Sequence, residues 1–181
     1  MRAIATTLPE VLIVESKIFT DDRGYFTEIF HAGKFAAIGL PSVFSQDNHS
    51  RSIRHTLRGL HYQIREPQGK LVRAVAGRIF DVAVDIRRDS PRFGQWTSII
   101  LEEGDGRQLW IPPGFAHGFL ALSETADVSY KCTSLYDAAS DRCIVWSDPQ
   151  IAIEWPIPSG ASPRLSDKDA AAPSLASADV F

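Results

Sequence analysis

Residues 78–86 read RIFDVAVDI, and they decide the fold class because apolar and polar side chains alternate along them. In an extended chain, the apolar side chains at positions 80, 82, 84 and 86 fall on one face. Asp81, Ala83 and Asp85 fall on the opposite face, and of these we expect Asp81 to point inward. The stretch therefore predicts a strand that is buried on one face and carries chemistry on the other.

Similar short runs of β-branched and aromatic residues, separated by Gly, Pro and Asp, extend along most of the chain. They predict strands over residues 11–18, 24–29, 43–50, 56–63, 70–76, 78–85, 96–101, 108–111, 118–121 and 126–133. Only residues 31–37 and 170–175 favour helix. Many short strands with few helices indicate a mainly β protein, a jelly-roll, cupin-like barrel that forms a single domain over residues 1–181. Residues 147–181 are expected to wrap over the barrel and to end in a loosely held tail.

The composition argues against several classes of protein. With 181 residues, 44% hydrophobic residues and a formal charge of −3, the chain is an ordinary globular domain without the basic surface that nucleic acid requires. No run reaches the roughly 20 apolar residues of a membrane span, and the N-terminus does not resemble a signal peptide. Cys132 and Cys143 lack zinc-like spacing, so we expect reduced thiols and a cytoplasmic protein.

The densest chemistry lies in the segment LRGLHYQ at residues 57–63. On a strand, Gly59, His61 and Gln63 share one face, and the glycine allows close approach of a ligand or a bulge. A second polar segment, IPPGFAHGF at residues 111–119, fixes His117 behind a rigid Pro-Gly turn. The inward-facing Asp81 is a candidate to orient His117, the alternative being a hydrogen bond to the backbone.

Two histidines facing one cavity also raise the possibility of a metal-dependent cupin oxygenase. Gln63 occupies the position where a metal-binding cupin has its second histidine, and a neutral amide is a poor ligand for a transition metal. We therefore expect no bound metal and no cofactor. A buried structural role for His61 is disfavoured because Arg58, Lys70 and His117 are unsuited to an apolar core.

Across nearly its whole length the sequence resembles the dTDP-4-dehydrorhamnose 3,5-epimerase family, metal-free sugar-nucleotide epimerases of the cupin superfamily. The resemblance rests on the order and spacing of the segments DDRGYFTE, FSQDNHS, LRGLHYQ, QGKLVRAVAGRIFDVAVDIR, SPRFGQW, LWIPPGFAHGF, YKCT, WSDP and LSDKDAAAP. It implies a jelly-roll homodimer that converts dTDP-4-dehydro-6-deoxy-D-glucose to dTDP-4-dehydro-β-L-rhamnose. It also suggests that the N-terminal strands cross to the partner subunit and complete its site.

The resemblance assigns roles to particular residues. It implies His61 as the catalytic base, Asp169 as its carboxylate partner and Tyr130 as the acid. The residues implied in substrate binding are Arg23, Glu28, Gln46, Asp47, Asn48, Arg58, Lys70, His117, Asp141 and Lys168. Asp141 departs from the glutamate that is common in the family and is one methylene shorter, so its contact is in question.

The chemistry of the residues agrees with this assignment. Removing a proton beside a ketone needs a base of near-neutral pKa, which histidine provides, and donors at the oxygen of the resulting enolate. Tyr130 can supply a proton on the opposite face, the alternative being a packing role, while Arg23 and Glu28 can equally form a surface ion pair. Two other functions remain open: an epimerase acting at C3 only or at C5 only, and a non-catalytic sugar-binding cupin.

Overall fold

The structure is a computed structural model that describes residues 1–181 and contains thirteen strands and two short helices. The strands are β1 Arg2–Ala5, β2 Leu12–Glu15, β3 Ile18–Asp21, β4 Gly24–Thr27, β5 Gln46–Ile53, β6 Leu57–Gln63, β7 Lys70–Ala76, β8 Arg78–Asp85, β9 Trp96–Glu102, β10 Arg107–Ile111, β11 Phe115–Ala121, β12 Thr125–Cys132 and β13 Asp141–Cys143. The helices are α1 Ala32–Ala37 and α2 Asp167–Ala170. Neither helix has the length or the apolar character needed to cross a membrane.

Eleven of the strands form two antiparallel sheets that pack face to face as a cupin-like jelly roll. One sheet has six strands in the order β1-β2-β10-β7-β12-β5, and the other has five in the order β13-β6-β11-β8-β9. The hairpin β3–β4 forms a separate two-stranded sheet. The mainly β jelly roll predicted from the sequence is confirmed.

Strand β8 is buried on both faces, which explains its composition. Ile79 and Ala83 join the core between the two sheets, and Asp81 and Asp85 share that inward face. Val82 and Val84 turn outward and are covered by residues of the C-terminal segment, among them Leu175. The carboxylates of β8 therefore share the inward face, as expected for Asp81, while the opposite apolar face is covered by the C-terminal segment.

The C-terminal segment after β13 packs across the outer face of the five-stranded sheet. The Tyr62 hydroxyl donates a hydrogen bond to the Asp179 carbonyl at 2.7 Å, and the Arg88 amide donates to the Phe181 carbonyl at 2.8 Å. Ala178 and Val180 are buried. The expectation of a loosely held tail is wrong, because apolar side chains and backbone hydrogen bonds fix the last residues.

Several predicted boundaries also differ. The single strand predicted over residues 11–18 is interrupted at Ser16, where the chain leaves the sheet to form the β3–β4 hairpin. The C-terminal helix starts at Asp167 and not at residue 170, since the Ser166 hydroxyl caps it by accepting from the Asp169 amide, and it ends before Pro173. Strands β1 and β13 were not predicted.

Candidate active site

A polar cavity of about 340 Å³ opens at one end of the barrel, between the two sheets. Its lining residues are Gln46, Asn48, His61, Tyr62, Gln63, Gln68, Lys70, Tyr130, Tyr136, Asp141 and Lys168. All eleven side chains carry a hydrogen-bonding or ionisable group. A cavity of this size and polarity suits a small, highly functionalised ligand.

His61 and Asp169 form a hydrogen-bonded pair at the cavity wall, with 2.5 Å between Nε2 and Oδ1. His61 projects from β6, whereas Asp169 comes from α2 and is almost fully buried. Burial acts to raise the pKa of Asp169, but the hydrogen bond and charge of His61 outweigh it and the pKa is lowered. Asp169 is therefore a carboxylate near neutral pH. A neutral His61 that donates Nε2–H to it has the lone pair of Nδ1 free to accept a proton.

The position of His61 depends on close contact between β6 and β11. Gly59 has φ +138°, and a Cβ added there would lie 2.5 Å from the Gly118 Cα. The register of the two strands shifts between His117 and Phe119, next to this contact. The glycine thus permits the irregularity expected from the sequence, and beyond it His61 pairs directly with His117.

His117 lies opposite His61 and is held by Asp81, with 2.8 Å between Nε2 and Oδ1. Both side chains are buried, and burial lowers the pKa of His117 although the charge of Asp81 opposes this. The orienting role considered for Asp81 is therefore present in the geometry. The two histidines form separate pairs with their aspartates, and no group of three His, Cys, Asp or Glu side chains converges as a metal site.

Lys70 and Tyr130 reach the cavity from β7 and β12 of the facing sheet. The Lys70 ammonium is buried and donates to the His61 carbonyl at 3.3 Å, and burial lowers the pKa of Lys70. Burial raises the pKa of Tyr130, so its phenol is protonated at neutral pH. The Tyr130 ring lies with its centroid 6.4 Å from that of His117.

The outer part of the cavity contains amide and charged groups. Gln46 Nε2 donates to Asn48 Oδ1 at 3.0 Å on β5, as their shared strand face predicted. Asp141 Oδ2 accepts hydrogen bonds from Lys168 Nζ and from the Tyr136 hydroxyl. Asp141, where resemblance to the family led us to expect a glutamate, is thus already engaged by two neighbours in this chain.

The remaining predicted binding residues lie outside this cavity. Asp47 points outward from β5 and pairs with Lys131 at 3.0 Å. Arg58 donates to the Ser52 hydroxyl at 3.1 Å, and its charge opposes the effect of burial on the Tyr130 pKa. Arg23 and Glu28 do not pair with each other. They form surface ion pairs with Asp21 and Lys34 respectively, and Arg23 is on the β3–β4 hairpin.

Tyr62, Gln63 and Gln68 line the cavity but were not predicted as site residues. Gln63 was expected on the strand face of His61 and was considered only as a poor metal ligand. That shared face was the signal available for Gln63. Gln68 has no periodic signal, because it lies in the irregular turn before Lys70.

Comparison with known proteins gives one consistent result. The family model described as dTDP-4-dehydrorhamnose 3,5-epimerase matches residues 5–177. A protein of that name from Pseudomonas aeruginosa is 52% identical over 182 residues, which cover 100% of this chain and 99% of the relative. One from Escherichia coli K12 is 52% identical over 93% of this chain and 91% of the relative.

Solved structures agree with this result. The enzyme of Legionella pneumophila in complex with dTDP-4-keto-L-rhamnose has a TM-score of 0.94 and 51% identity, over 98% of this chain and 94% of that one. A 3′-monoepimerase from Streptomyces bikiniensis in complex with dTDP-quinovose has a TM-score of 0.88 and 33% identity, over 97% and 88%. The chain is thus similar to epimerases acting at one or at two carbons.

Proposed function

The chain belongs to the dTDP-4-dehydrorhamnose 3,5-epimerase family, and from that premise we propose that His61, Asp169 and Tyr130 are its catalytic residues. The enzyme converts dTDP-4-dehydro-6-deoxy-D-glucose to dTDP-4-dehydro-β-L-rhamnose by epimerisation at C3 and C5, on the route to dTDP-L-rhamnose. One observation carries the assignment of residues. His61, which is hydrogen-bonded to Asp169, and the half-buried Tyr130 line the same cavity.

His61 acts as the base that removes the proton from the carbon next to the ketone. Asp169 accepts the Nε2–H hydrogen bond, which selects one tautomer and stabilises the imidazolium that forms on proton transfer. Since the Asp169 pKa is lowered, this carboxylate keeps its charge over the pH range in which an imidazole can act as a base. The pair therefore meets the first requirement of enolate chemistry.

The enolate that forms carries negative charge on the former ketone oxygen, and Lys70 is the donor placed to stabilise it. Lys70 is buried, so its charge is poorly screened and acts strongly on a nearby anion. With its lowered pKa, His117 is neutral at pH 7, and because its Nε2–H is donated to Asp81, its Nδ1 accepts a hydrogen bond, which suits a sugar hydroxyl and not an enolate oxygen. A preorganised donor such as Lys70 contributes roughly 3–4 kcal/mol in enzymes studied by mutagenesis.

Tyr130 returns a proton from the face opposite His61, which inverts the carbon. The two residues come from facing sheets, β6 and β12, so a sugar ring between them meets base and acid on different sides. The raised pKa of Tyr130 keeps the phenol in the acid form until it is needed.

Recognition of the nucleotide falls to the outer part of the cavity. Gln46 and Asn48 offer amide groups and Lys168 offers a cation, while Arg58 lies outside the cavity lining but near enough for its charge to act on Tyr130. Guanidinium and ammonium groups are suited to a diphosphate. The cytoplasm is our proposed location, in keeping with two free cysteines.

Arg23 and Glu28 contribute to substrate binding in a homodimer. In one chain they lie away from the His61 cavity, and the β3–β4 hairpin exposes Phe19 and Phe26 at 52% and 68%. Exposed aromatic residues of this kind are typical of protein interfaces. The hairpin would then complete the partner's site, and the exposed ion pair of Arg23 with Asp21 would give way to substrate contacts.

Deuterium exchange tests the proposed residues. The protein is incubated with dTDP-4-dehydro-6-deoxy-D-glucose in deuterated water, and the product is analysed by NMR. Wild-type protein is expected to introduce label at C3 and at C5, whereas His61→Asn binds substrate and introduces none. Label at one carbon only would indicate a monoepimerase, and exchange retained in His61→Asn would refute its role as base.

Subunit complementation tests the dimer. His61→Asn and Arg23→Ala chains are each expected to have low activity, and mixing them after dissociation places an intact cavity beside an intact hairpin in the mixed dimer. Activity should therefore rise on mixing. A monomer in sedimentation, or no gain on mixing in a confirmed mixed dimer, would contradict the proposal.

A further inference from the structure

Three glutamine side chains hold the backbone of a single loop at the cavity mouth. The loop comprises Ser134–Asp137 and follows β12; we call it the Tyr136 loop. Gln68 Nε2 donates to the Ser134 carbonyl at 2.9 Å, and Gln46 Oε1 accepts from the Tyr136 amide at 2.8 Å. Gln63 makes the other two contacts, so four consecutive residues are each bound through the main chain.

Gln63 is the central member of this group. Its Nε2 donates to the Leu135 carbonyl at 3.1 Å and to the Glu66 carbonyl at 2.7 Å, and its Oε1 accepts from the Asp137 amide at 2.9 Å. Only 3% of the residue is exposed. Both donors of the amide are used and its oxygen is occupied, so the side chain has little left to offer a substrate although it lines the cavity.

The Tyr136 loop, which Gln63 holds, contacts residues that lead to helix α2. The Tyr136 hydroxyl donates to Asp141 at 3.0 Å, and Asp141 also pairs with Lys168. Asp141 lies directly opposite Gln63 in the β13–β6 register, and Lys168 precedes Asp169 on α2. Gln63 therefore holds one end of a series of contacts that runs through Tyr136, Asp141 and Lys168. The series ends on α2 next to Asp169, which pairs with His61.

We propose that Gln63 is a positioning residue that fixes the Tyr136 loop for binding of the sugar nucleotide, without touching the substrate itself. This rests on the proposed function, since Tyr136 and Asp141 line the same cavity as His61. A free loop must lose backbone entropy each time ligand binds, whereas a loop held by four hydrogen bonds has lost it already. Loss of Gln63 is therefore expected to weaken binding more than it slows the chemical step.

The first test is Gln63→Met, which keeps the length of the side chain and removes all of its hydrogen bonds. We expect KM for the sugar nucleotide to rise about 5- to 30-fold, the factor for one or two lost hydrogen bonds, with kcat changed less than threefold. Affinity for dTDP, measured by calorimetry, should fall as well. Gln108→Met is the matched control, because Gln108 is also buried and donates to a backbone carbonyl, that of Ile29, but lies outside the cavity.

A double substitution shows whether Gln63 acts through the loop. In a Tyr136→Ala background the further rise in KM caused by Gln63→Met should largely disappear, because the loop no longer presents a side chain to the ligand. The proposal would be overturned if KM in the double variant rose by the product of the two single fold-changes. It would also be overturned by an unchanged KM in Gln63→Met or by an equal rise in Gln108→Met.

Folding and the proposed function are controlled separately. Gln63→Glu keeps the acceptor for the Asp137 amide but turns an oxygen toward the Leu135 and Glu66 carbonyls, and it should weaken binding in the same direction. If circular dichroism shows both variants unfolded, Gln63 determines the fold and the proposal fails. Absence of deuterium exchange in the wild-type protein would refute only the proposed function. The role of Gln63 would still be tested by the affinity for dTDP, which does not depend on catalysis.

Discussion

His61 and Asp169 lie 108 positions apart in the sequence, yet their side chains meet at 2.5 Å between Nε2 and Oδ1. The strand β6 presents the imidazole, and the C-terminal segment brings the carboxylate to it. Because the carboxylate is buried and its pKa is lowered, the pair is preorganised before any ligand enters.

Asp169→Asn should remove most of the activity while the fold persists. The amide is similar in shape but cannot stabilise an imidazolium, and loss of such a carboxylate in a comparable triad lowers kcat by about 10⁴-fold. We expect a loss of roughly 10²- to 10⁴-fold in exchange rate, with dTDP affinity unchanged. Ser166→Ala is the control: it removes the cap of α2 and should cost about 1 kcal/mol of stability but little activity. Equal activity losses in both variants would argue against a chemical role for Asp169.

Tyr130→Phe should separate proton removal from inversion. His61 remains able to take a proton and, in deuterated water, to return a deuteron to the same face. We therefore expect deuterium in recovered substrate while formation of the inverted product falls roughly 10²- to 10⁴-fold. NMR of the sugar distinguishes the two outcomes. Normal yields of inverted product would exclude Tyr130 as the acid.

His117 should titrate below the ordinary histidine value, because its burial lowers the pKa. In the unfolded chain the same imidazole has a pKa of about 6.5. Between the two values the unfolded chain binds a proton that the folded chain does not, so the free energy of unfolding falls as the pH drops below about 6.5. Urea unfolding at several pH values measures this effect. Over this range the free energy of unfolding should depend less on pH in His117→Gln than in the wild-type protein. A His117 resonance titrating at or above 6.5 would contradict the prediction.

Gly59→Ala should be strongly destabilising, and Gly24→Ala supplies its matched control. Both glycines have strongly positive φ values, 138° and 129°, but a Cβ meets the Gly118 Cα at 2.5 Å in the first case and nothing within 4 Å in the second. Backbone strain of about 1–3 kcal/mol applies to both, and only Gly59→Ala adds overpacking of about 1–3 kcal/mol. Chemical denaturation measures the difference, and equal losses would show that the contact is tolerated.

Strands β7 and β8 begin and end where the sequence predicted them. The side chains of β8 alternate without interruption, which places Asp81 inward beside His117, whereas β7 is a mainly apolar run bounded by Gly69 and Gly77. Strand β13 has three residues and pairs with β6 through tertiary structure, so no local pattern marks it. The alanines after Asp169 favoured a helix over residues 170–175. The observed helix is Asp167–Ala170, because Ser166 caps it and starts it earlier in the chain.

The candidate site shows the same division. Period-two spacing was enough to place Gln46 and Asn48 on one face of β5, and it also turns Asp47 away from them. The pairing of His61 with Asp169 has no local signal, and it was expected only from resemblance to the family. Contacts made by side chains to loop backbone, such as those of Gln63, depend on where the loop folds back and leave no trace in residue spacing.

The route by which Asp169 reaches His61 has a kinetic consequence for assembly of the enzyme. Closing a loop of more than 100 residues carries an entropic cost, and it is docking of the C-terminal segment on the five-stranded sheet that brings Asp169 to His61. We expect a chain with both sheets formed and this segment undocked to be ordered yet inactive, because His61 then lacks its carboxylate. During refolding, recovery of activity should therefore lag behind recovery of the circular dichroism signal of the sheets.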